Sequence, residues 1–299
     1  MDKRFIEKQE EAFDLEQKAF EAAKAKYYQA LKKYQAFHDE KLLLSPPLNR
    51  AAYSDRTCWL MAVLSRLAYI PFEESEDNLA QLEFNLKSGG FELVRTFSKS
   101  DTQAILVRNK SFAVLAFRGT EIQKIGDILT DIRAYQNSTK SGRVHAGFED
   151  AYEAIAQEID NSLVKDEWPI YITGHSLGGA LATVATQILE HRFGDLISAC
   201  YTFGSPRVGN RTYEKNIKPP FYRVVNSTDI VTLVPNIGYT HVGDTRFLSI
   251  DGDLYRGIPF FRRGWEMFLA LFAPARWVTC HSIEEYCDKL ENYAVKRNS

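Results

Sequence analysis

Short apolar runs alternate with stretches of helical periodicity along most of the chain. The runs are nearly continuous and rich in β-branched and aromatic residues, which predicts strands buried on both faces. They fall at residues 111–117, 170–172, 197–203 and 221–225. Between them, apolar residues recur with the spacing of amphipathic helices, most clearly over 148–164 and 180–189. This alternation predicts an α/β fold in which a mostly parallel central sheet carries helices on both faces.

Further elements are expected around this central pattern. Residues 53–70 predict a helix with a broad buried face. Residues 91–97 and 103–108 predict the two strands of a hairpin, and residues 246–250 predict an edge strand. Catalytic groups in such folds lie at the carboxyl ends of the parallel strands, so candidate chemistry is sought there.

The first part of the chain has a different character. Residues 1–44 contain no Gly or Pro and are dense in Ala, Glu, Lys and Gln, which predicts a long helix that Pro46 and Pro47 end. One apolar seam recurs every seven residues, at Ile6, Phe13, Phe20, Tyr27 and Tyr34. We expect this seam to pack along the chain's own domain or to serve self-association or a membrane surface. Two parts are therefore predicted, an N-terminal helical extension over 1–47 and one larger domain over 48–299.

The composition is that of an ordinary globular protein, with 45% hydrophobic and 25% charged residues. A formal net charge of -2 gives no reason to expect a nucleic-acid partner. The chain starts without the apolar segment and cleavage site of a signal peptide, and no run approaches the length of a transmembrane helix. The four cysteines show no paired spacing. We therefore expect a cytoplasmic protein.

The strand at 170–172 leads into Gly174-His175-Ser176-Leu177-Gly178 and then into the helical stretch. A strand, a tight turn with this glycine pattern and a helix together are typical of a nucleophile elbow, in which a strained turn lifts the serine hydroxyl clear of the sheet. The helix also directs its N-terminal amides at the charge that develops during acyl transfer. Ser176 is therefore the candidate nucleophile.

A serine nucleophile needs a base and an acid that orients the base, and in this topology they follow in the order Ser, Asp or Glu, His. Asp229 comes just past the strand at 221–225 and is the favoured acid; Asp244, Asp251 and Asp253 are weaker choices because they lie in or beyond the edge region. Two histidines follow Asp229, namely His241 and His281. The residues alone leave the choice between them open.

An oxyanion hole needs two backbone amides near the nucleophile. The elbow geometry supplies the N–H of Leu177, the residue after the serine. The second amide is expected from the loop that follows an earlier central strand, which indicates Thr120. No histidine or cysteine cluster has metal-ligand spacing, so we expect no cofactor and no metal.

Several separate motifs carry a family resemblance. From about residue 53 to residue 294 the chain resembles the class 3 lipases, the fungal-lipase-like members of the α/β-hydrolase superfamily. The matching segments are residues 113–120, 144–148, 173–180, 202–209, 225–231, 238–243 and 280–286. The resemblance implies an α/β-hydrolase fold, with Asp229 as the acid, His281 as the base and His241 as a structural residue.

The resemblance also implies the function. It predicts a serine carboxylic-ester hydrolase of lipase type that cleaves acyl esters of lipids, such as acylglycerols, through an acyl-enzyme on Ser176. A phospholipase A1 or a general esterase would use the same residues and is the alternative. A catalytically silent lipid-binding protein is a third reading, which the intact set of Ser176, Asp229 and His281 disfavours.

Two segments depart from that family pattern. Residues 121–132, after the oxyanion loop, have an isoleucine-rich face and are expected to form a small lid or a fixed surface helix. Residues 258–277 interleave large aromatics with Arg262, Arg263 and Arg276. This second segment is expected to contact a lipid interface, line an acyl pocket or pack against the N-terminal seam.

Overall fold

The computed structural model describes Phe37 and residues 51–120, 135–163, 168–273 and 276–298. The chain divides into two compact units, Met1–His38 and Asp39–Ser299, and the description below concerns the second. The long helix expected within residues 1–47 and the lid expected over 121–132 lie outside the described residues, Phe37 apart.

The strands of the described part are short and mostly buried. Their bounds are β1 (Glu92–Lys99), β2 (Thr102–Arg108), β3 (Ala113–Phe117), β4 (Gln136–Thr139), β5 (Gly142–His145), β6 (Ile170–His175), β7 (Ile197–Phe203), β8 (Phe221–Asn226), β9 (Asp244–Leu248) and β10 (Leu254–Arg256). The helices are α1 (Asp55–Leu67), α2 (Glu76–Ser88), α3 (Ala146–Leu163), α4 (Leu177–Phe193), α5 (Arg211–Lys215), α6 (Phe260–Leu271), α7 (Arg276–Thr279) and α8 (Ile283–Asn298).

The described strands form one large sheet in the order β1-β2-β3-β6-β7-β8-β9-β10, and β4 pairs with β5 apart from it. The five strands from β3 to β9 in this order run parallel, while β1, β2 and β10 are joined antiparallel at the two margins. The expected α/β-hydrolase fold with a mostly parallel central sheet is confirmed. The register aligns Phe117 with Gly174 and His175 with Phe203, so the carboxyl ends of β3, β6 and β7 meet at one edge.

Helices cover both faces of this sheet because consecutive strand residues point to opposite sides. On one face, Ile172 and Leu115 belong to a core cluster with residues of α3 and α4. On the other, the Thr173 hydroxyl lies 2.9 Å from the Ser65 hydroxyl of α1, and α1 packs against α8. Both faces of the central strands are thus buried, which accounts for their uninterrupted apolar sequences.

Some elements differ from the expectation. The strand expected at 246–250 is β9, which begins two residues earlier and is not an edge strand, because β10 pairs outside it. The β4–β5 hairpin was not expected, since Gln136–Thr139 is wholly polar and carries no buried face to mark it. Residues 260–271 form a helix, α6. Within the described residues, no helix has the length and apolar character needed to cross a membrane.

Candidate active site

Ser176 occupies a sharp turn between β6 and α4. Its backbone dihedrals are φ 57° and ψ -128°, a conformation that side chains other than glycine rarely adopt. The turn is possible because Gly174, two residues before the serine, and Gly178, two residues after it, have no Cβ atom. A Cβ on Gly174 would lie 2.1 Å from the Gly178 carbonyl oxygen, and one on Gly178 would lie 2.3 Å from the Phe117 carbonyl oxygen. The glycines of the motif thus permit the close backbone contacts of a nucleophile elbow.

The structure brings Ser176, His281 and Asp229 into one hydrogen-bonded line. The Ser176 Oγ lies 2.8 Å from His281 Nε2, and His281 Nδ1 lies 2.9 and 3.0 Å from the two oxygens of Asp229. None of the three residues is more than 1% exposed. With Nδ1–H donated to the carboxylate, Nε2 is free to accept the serine proton. This arrangement is chemically equipped to turn the hydroxyl into a nucleophile.

Asp229 and His281 are held on two loops that also bind each other. Asp229 follows β8 in a tight turn, in which its N–H donates to the Asn226 carbonyl at 2.9 Å. The Asn226 side chain donates to the carbonyl of Cys280, the residue before His281, also at 2.9 Å. The relative position of Asp229 and His281 is therefore fixed by backbone as well as by side-chain contacts.

Tyr286 is a further member of the site that the sequence analysis missed. Its hydroxyl donates to Asp229 Oδ2 at 2.7 Å and accepts the Asn226 N–H at 2.9 Å. Burial, and then the negative charge of Asp229, raise the pKa of Tyr286 well above its usual value, so it remains a donor. Tyr286 lies in the first turn of α8, shortly after His281. The sequence there does not distinguish it from an ordinary core aromatic residue.

His175 supports His281 from the other side. Its Nε2–H donates to the backbone carbonyl of His281 at 2.6 Å, and its Nδ1 accepts the Tyr69 hydroxyl at 2.8 Å. Burial, and then the neighbouring His281, lower the pKa of His175 well below its usual value. The ring is therefore neutral, with Nε2–H as the donor and Nδ1 as the acceptor of these two contacts.

The two expected oxyanion amides lie on the elbow and on the loop that touches it. Leu177 is the first residue of α4, so its N–H has no acceptor within the helix. Thr120 lies in the segment after β3 and follows Gly119, on which a Cβ would lie 2.4 Å from the His175 carbonyl oxygen. The backbone of that loop therefore packs directly against the elbow, one residue from Ser176.

The other candidates have different contacts. His241 donates its Nε2–H to the Thr232 carbonyl at 2.7 Å, and burial together with Arg223 lowers its pKa to about 2. Asp244 pairs with Arg246 at 3.0 Å, and Asp251 pairs with Arg262. Among the residues that the structure describes, no group of three His, Cys, Asp or Glu side chains could hold a metal ion.

The segment 258–277 places an apolar surface on the domain. Its helix α6 exposes what we call the aromatic face, and Phe261, at 89%, is its most exposed member. The opposite side of the helix buries Glu266 and Ala270. The aromatic face consists of Phe260, Phe261, Trp265, Phe268, Leu271 and Phe272.

The known proteins described below, to which this chain is similar, are lipases. The family model for lipase (class 3) matches residues 114–239. A lipase of Rhizopus niveus is 33% identical over 171 residues, which cover 51% of this chain but only 43% of that one. A secreted mono- and diacylglycerol lipase of Malassezia globosa is 26% identical over 202 residues, covering 58% of this chain and 66% of that one. The chain thus spans less than half the length of the Rhizopus relative.

Two solved structures share the fold over most of the domain. The lipase from Rhizopus microsporus var. chinensis has a TM-score of 0.54 at 25% identity, covering 68% of this chain and 78% of that one. A triacylglycerol lipase, whose catalytic centre is described as a serine protease triad, has a TM-score of 0.55 at 26% identity, covering 66% and 82%.

The expected cytoplasmic location is wrong, because relatives from Malassezia globosa and Malassezia restricta are named as secreted lipases. The cysteine pattern misled the expectation. All four cysteines lie in the described part, where they are unpaired and buried, so they serve as small core residues and do not report the redox compartment. The family model, the relatives and the shared fold agree: over residues 114–239 the chain matches the class 3 lipase family.

Proposed function

We propose that the chain is a serine carboxylic-ester hydrolase that cleaves acyl esters of lipids through an acyl-enzyme on Ser176. The observation that carries the proposal is the 2.8 Å contact between Ser176 Oγ and His281 Nε2 at a strained elbow, with Asp229 on the far side of the imidazole. A lipid-binding protein without activity has no use for this arrangement.

In the proposed reaction, His281 takes the proton of Ser176 as the hydroxyl attacks the ester carbonyl. The N–H groups of Leu177 and Thr120 hold the oxyanion of the tetrahedral intermediate. His281 then gives its proton to the departing alcohol, which leaves an acyl group on Ser176. A water molecule, deprotonated by His281, then attacks the acyl-enzyme in the same way and releases the carboxylic acid from Ser176. Asp229 keeps the imidazole in the productive tautomer and stabilises its positive charge.

The substrate is proposed to be an acylglycerol. Relatives named as lipases and as mono- and diacylglycerol lipases support this choice over a phospholipase A1 or a general esterase. The secreted relatives likewise support an extracellular site of action. We further propose that residues 258–277 contact the lipid surface through the aromatic face, since exposed aromatics on a helix suit a lipid interface. The N-terminal extension over 1–47, for which the sequence predicts a helix, is proposed to serve self-association.

The proposal is tested with Ser176→Ala and a fluorophosphonate probe. The wild-type protein is expected to be labelled at Ser176 and to hydrolyse p-nitrophenyl esters and emulsified acylglycerols. The variant is expected to do neither while it melts at the wild-type temperature. Ser98→Ala, on the exposed surface of β1, is the matched control and is expected to behave as the wild type. Substantial ester turnover by the Ser176 variant would reject the nucleophile.

Comparing rates on a diacylglycerol, a triacylglycerol and a phosphatidylcholine then decides the substrate class. Preference for the phospholipid at its sn-1 ester would replace the acylglycerol proposal with a phospholipase A1. Activity confined to short soluble esters would replace it with a general esterase.

A further inference from the structure

The helix with the aromatic face carries a buried carboxylate on its inner side. Glu266 is only 2% exposed, and its two oxygens accept three hydrogen bonds. Ser227 Oγ donates to Oε2 at 2.5 Å, while the Ile250 N–H and Arg262 Nε donate to Oε1 at 3.2 and 3.1 Å. A charge in such a place is costly unless its partners are well placed, and an apolar residue would pack there at lower cost. The carboxylate therefore has a use as an acceptor.

Ser227 connects Glu266 to the acid of the site. It lies two residues before Asp229, in the tight turn after β8, and has a positive φ of 44°. Its N–H donates to the Leu248 carbonyl at 2.7 Å, and its hydroxyl has Glu266 as its acceptor. A serine in this backbone conformation is strained, so it needs contacts that hold it there. Glu266 supplies the side-chain contact.

A second link joins the same helix to the same turn. Arg263 Nη2 lies 3.4 Å from Thr232 Oγ1, and the Thr232 hydroxyl donates to the backbone carbonyl of Asp229 at 2.8 Å. The turn therefore has two supports. The residues around His281 hold it from one side, and α6 holds it from the other.

We propose that Glu266 is a positioning residue for Asp229, which it holds against His281 through Ser227. This inference rests on the function proposed above and adds a residue on which that reaction depends. When the tether is cut, the turn relaxes and Asp229 sits less closely on the imidazole. Two consequences follow. The rate of the chemical step falls, and the imidazolium is stabilised less, so the acid limb of the pH profile moves to lower pH.

The experiment compares Glu266→Ala, Ser227→Ala, the double variant and Glu266→Gln on a soluble p-nitrophenyl ester. Both alanine variants are expected to lower kcat by about ten-fold with KM within about two-fold of the wild type. Both are also expected to shift the acid limb of kcat/KM downward by about half a pH unit. Because the two residues act through one contact, the double variant is expected to be no more than about two-fold slower than either single variant. Glu266→Gln keeps an oxygen for Ser227 and is expected to recover most of kcat.

The matched control is Glu92→Ala, which removes an exposed carboxylate of β1 that pairs with Arg108, and it is expected to leave both readouts unchanged. Ser227→Ala removes a single oxygen and so tests the tether even where Glu266→Ala fails to fold. The proposal is overturned by an unmoved acid limb, by additive effects in the double variant, or by wild-type kcat in Ser227→Ala.

A readout without turnover separates this inference from the function on which it rests. The downfield proton resonance of His281 Nδ1–H reports its hydrogen bond to Asp229 and is assigned by its loss in His281→Asn. An upfield shift of that resonance in Ser227→Ala is expected whether or not any ester is cleaved, and an unshifted resonance rejects the tether. Failure of the wild type to cleave any ester would reject the proposed function alone.

Discussion

His175, the residue before the proposed nucleophile, donates a hydrogen bond from its ring Nε2 to the backbone carbonyl of His281 at 2.6 Å. The elbow and the loop that carries His281 are thereby joined directly, 106 positions apart in sequence. The side chain of His175 thus does more than occupy space in the turn. It sets the distance between the loop of His281 and the strand end of Ser176.

Replacing His175 by Phe keeps a ring in the space but removes this donor. The buried carbonyl of His281 is then unsatisfied, which costs about 1–3 kcal/mol in the free energy of unfolding. The loop of His281 is also held less firmly, so kcat on a soluble ester is expected to fall by about ten-fold or more. Urea unfolding and steady-state kinetics measure the two effects. Tyr69→Phe, which removes the donor to His175 Nδ1, is the matched comparison and is expected to have the smaller effect on kcat.

Tyr286→Phe is expected to move the pH profile in the direction opposite to Glu266→Ala. The hydroxyl of Tyr286 donates to Asp229 Oδ2 and so draws negative charge away from the carboxylate. Without this donor Asp229 stabilises the imidazolium of His281 more strongly, and the acid limb of kcat/KM moves to higher pH. The N–H of Asn226 also loses its acceptor, so the free energy of unfolding falls by about 1–3 kcal/mol. A shift to lower pH would show that the tyrosine acts by holding Asp229 in place.

How far the sequence leads depends on how local each signal is. Ser176 and Asp229 are marked by local pattern, because each stands where a buried apolar strand ends. The choice between His241 and His281 has no local signal and came from the family resemblance. Tyr286 and Glu266 escaped notice because their significance lies in contacts across 57 and 39 positions, which no periodicity encodes.

The presence or absence of a local signal also explains which elements of the fold were predicted. The parallel strands have both faces covered, so each one is a visible apolar run. The β4–β5 hairpin has no such face. The aromatic composition of 258–277 was apparent, but its division into an exposed face and a buried Glu266 became visible only once α6 was placed against the turn of Asp229.

The lowered pKa of His241 predicts how stability depends on pH. The pKa of His241 is lowered to about 2 by burial and by Arg223, while in the unfolded chain it returns to its usual value of about 6.5. The unfolded state therefore binds one more proton than the folded state between these values. The stability that this histidine contributes is complete above about pH 6.5 and is lost as the pH falls, by about 1.4 kcal/mol per pH unit.

His241→Gln isolates this effect, because the glutamine amide still offers a donor to the Thr232 carbonyl but has no proton to gain. Urea unfolding at a series of pH values from 7 to about 4.5 is expected to give a slope that is shallower than the wild type by about 1.4 kcal/mol per pH unit below pH 6. The carboxylates titrate in both proteins and cancel from the difference. Equal slopes would mean that His241 is already protonated in the folded protein.

The last prediction concerns the aromatic face. Phe260, Phe261 and Trp265 are 83%, 89% and 60% exposed on one side of α6. Transferring such side chains from water into a lipid interface is favourable by roughly 25 cal/mol for each Å² of apolar surface buried. Replacing all three by serine is therefore expected to weaken co-sedimentation with phosphatidylcholine vesicles by about ten-fold or more, and to lower the rate on emulsified acylglycerol in parallel. The rate on a short soluble ester is expected to stay within about two-fold of the wild type, since Glu266 and the inner side of the helix are untouched.

Phe84→Ser, on α2, removes an aromatic ring that is 54% exposed and serves as the control, for which both rates and vesicle binding are expected to be unchanged. An equal loss on soluble and emulsified substrates would place the aromatic face in the acyl pocket instead of at the lipid surface.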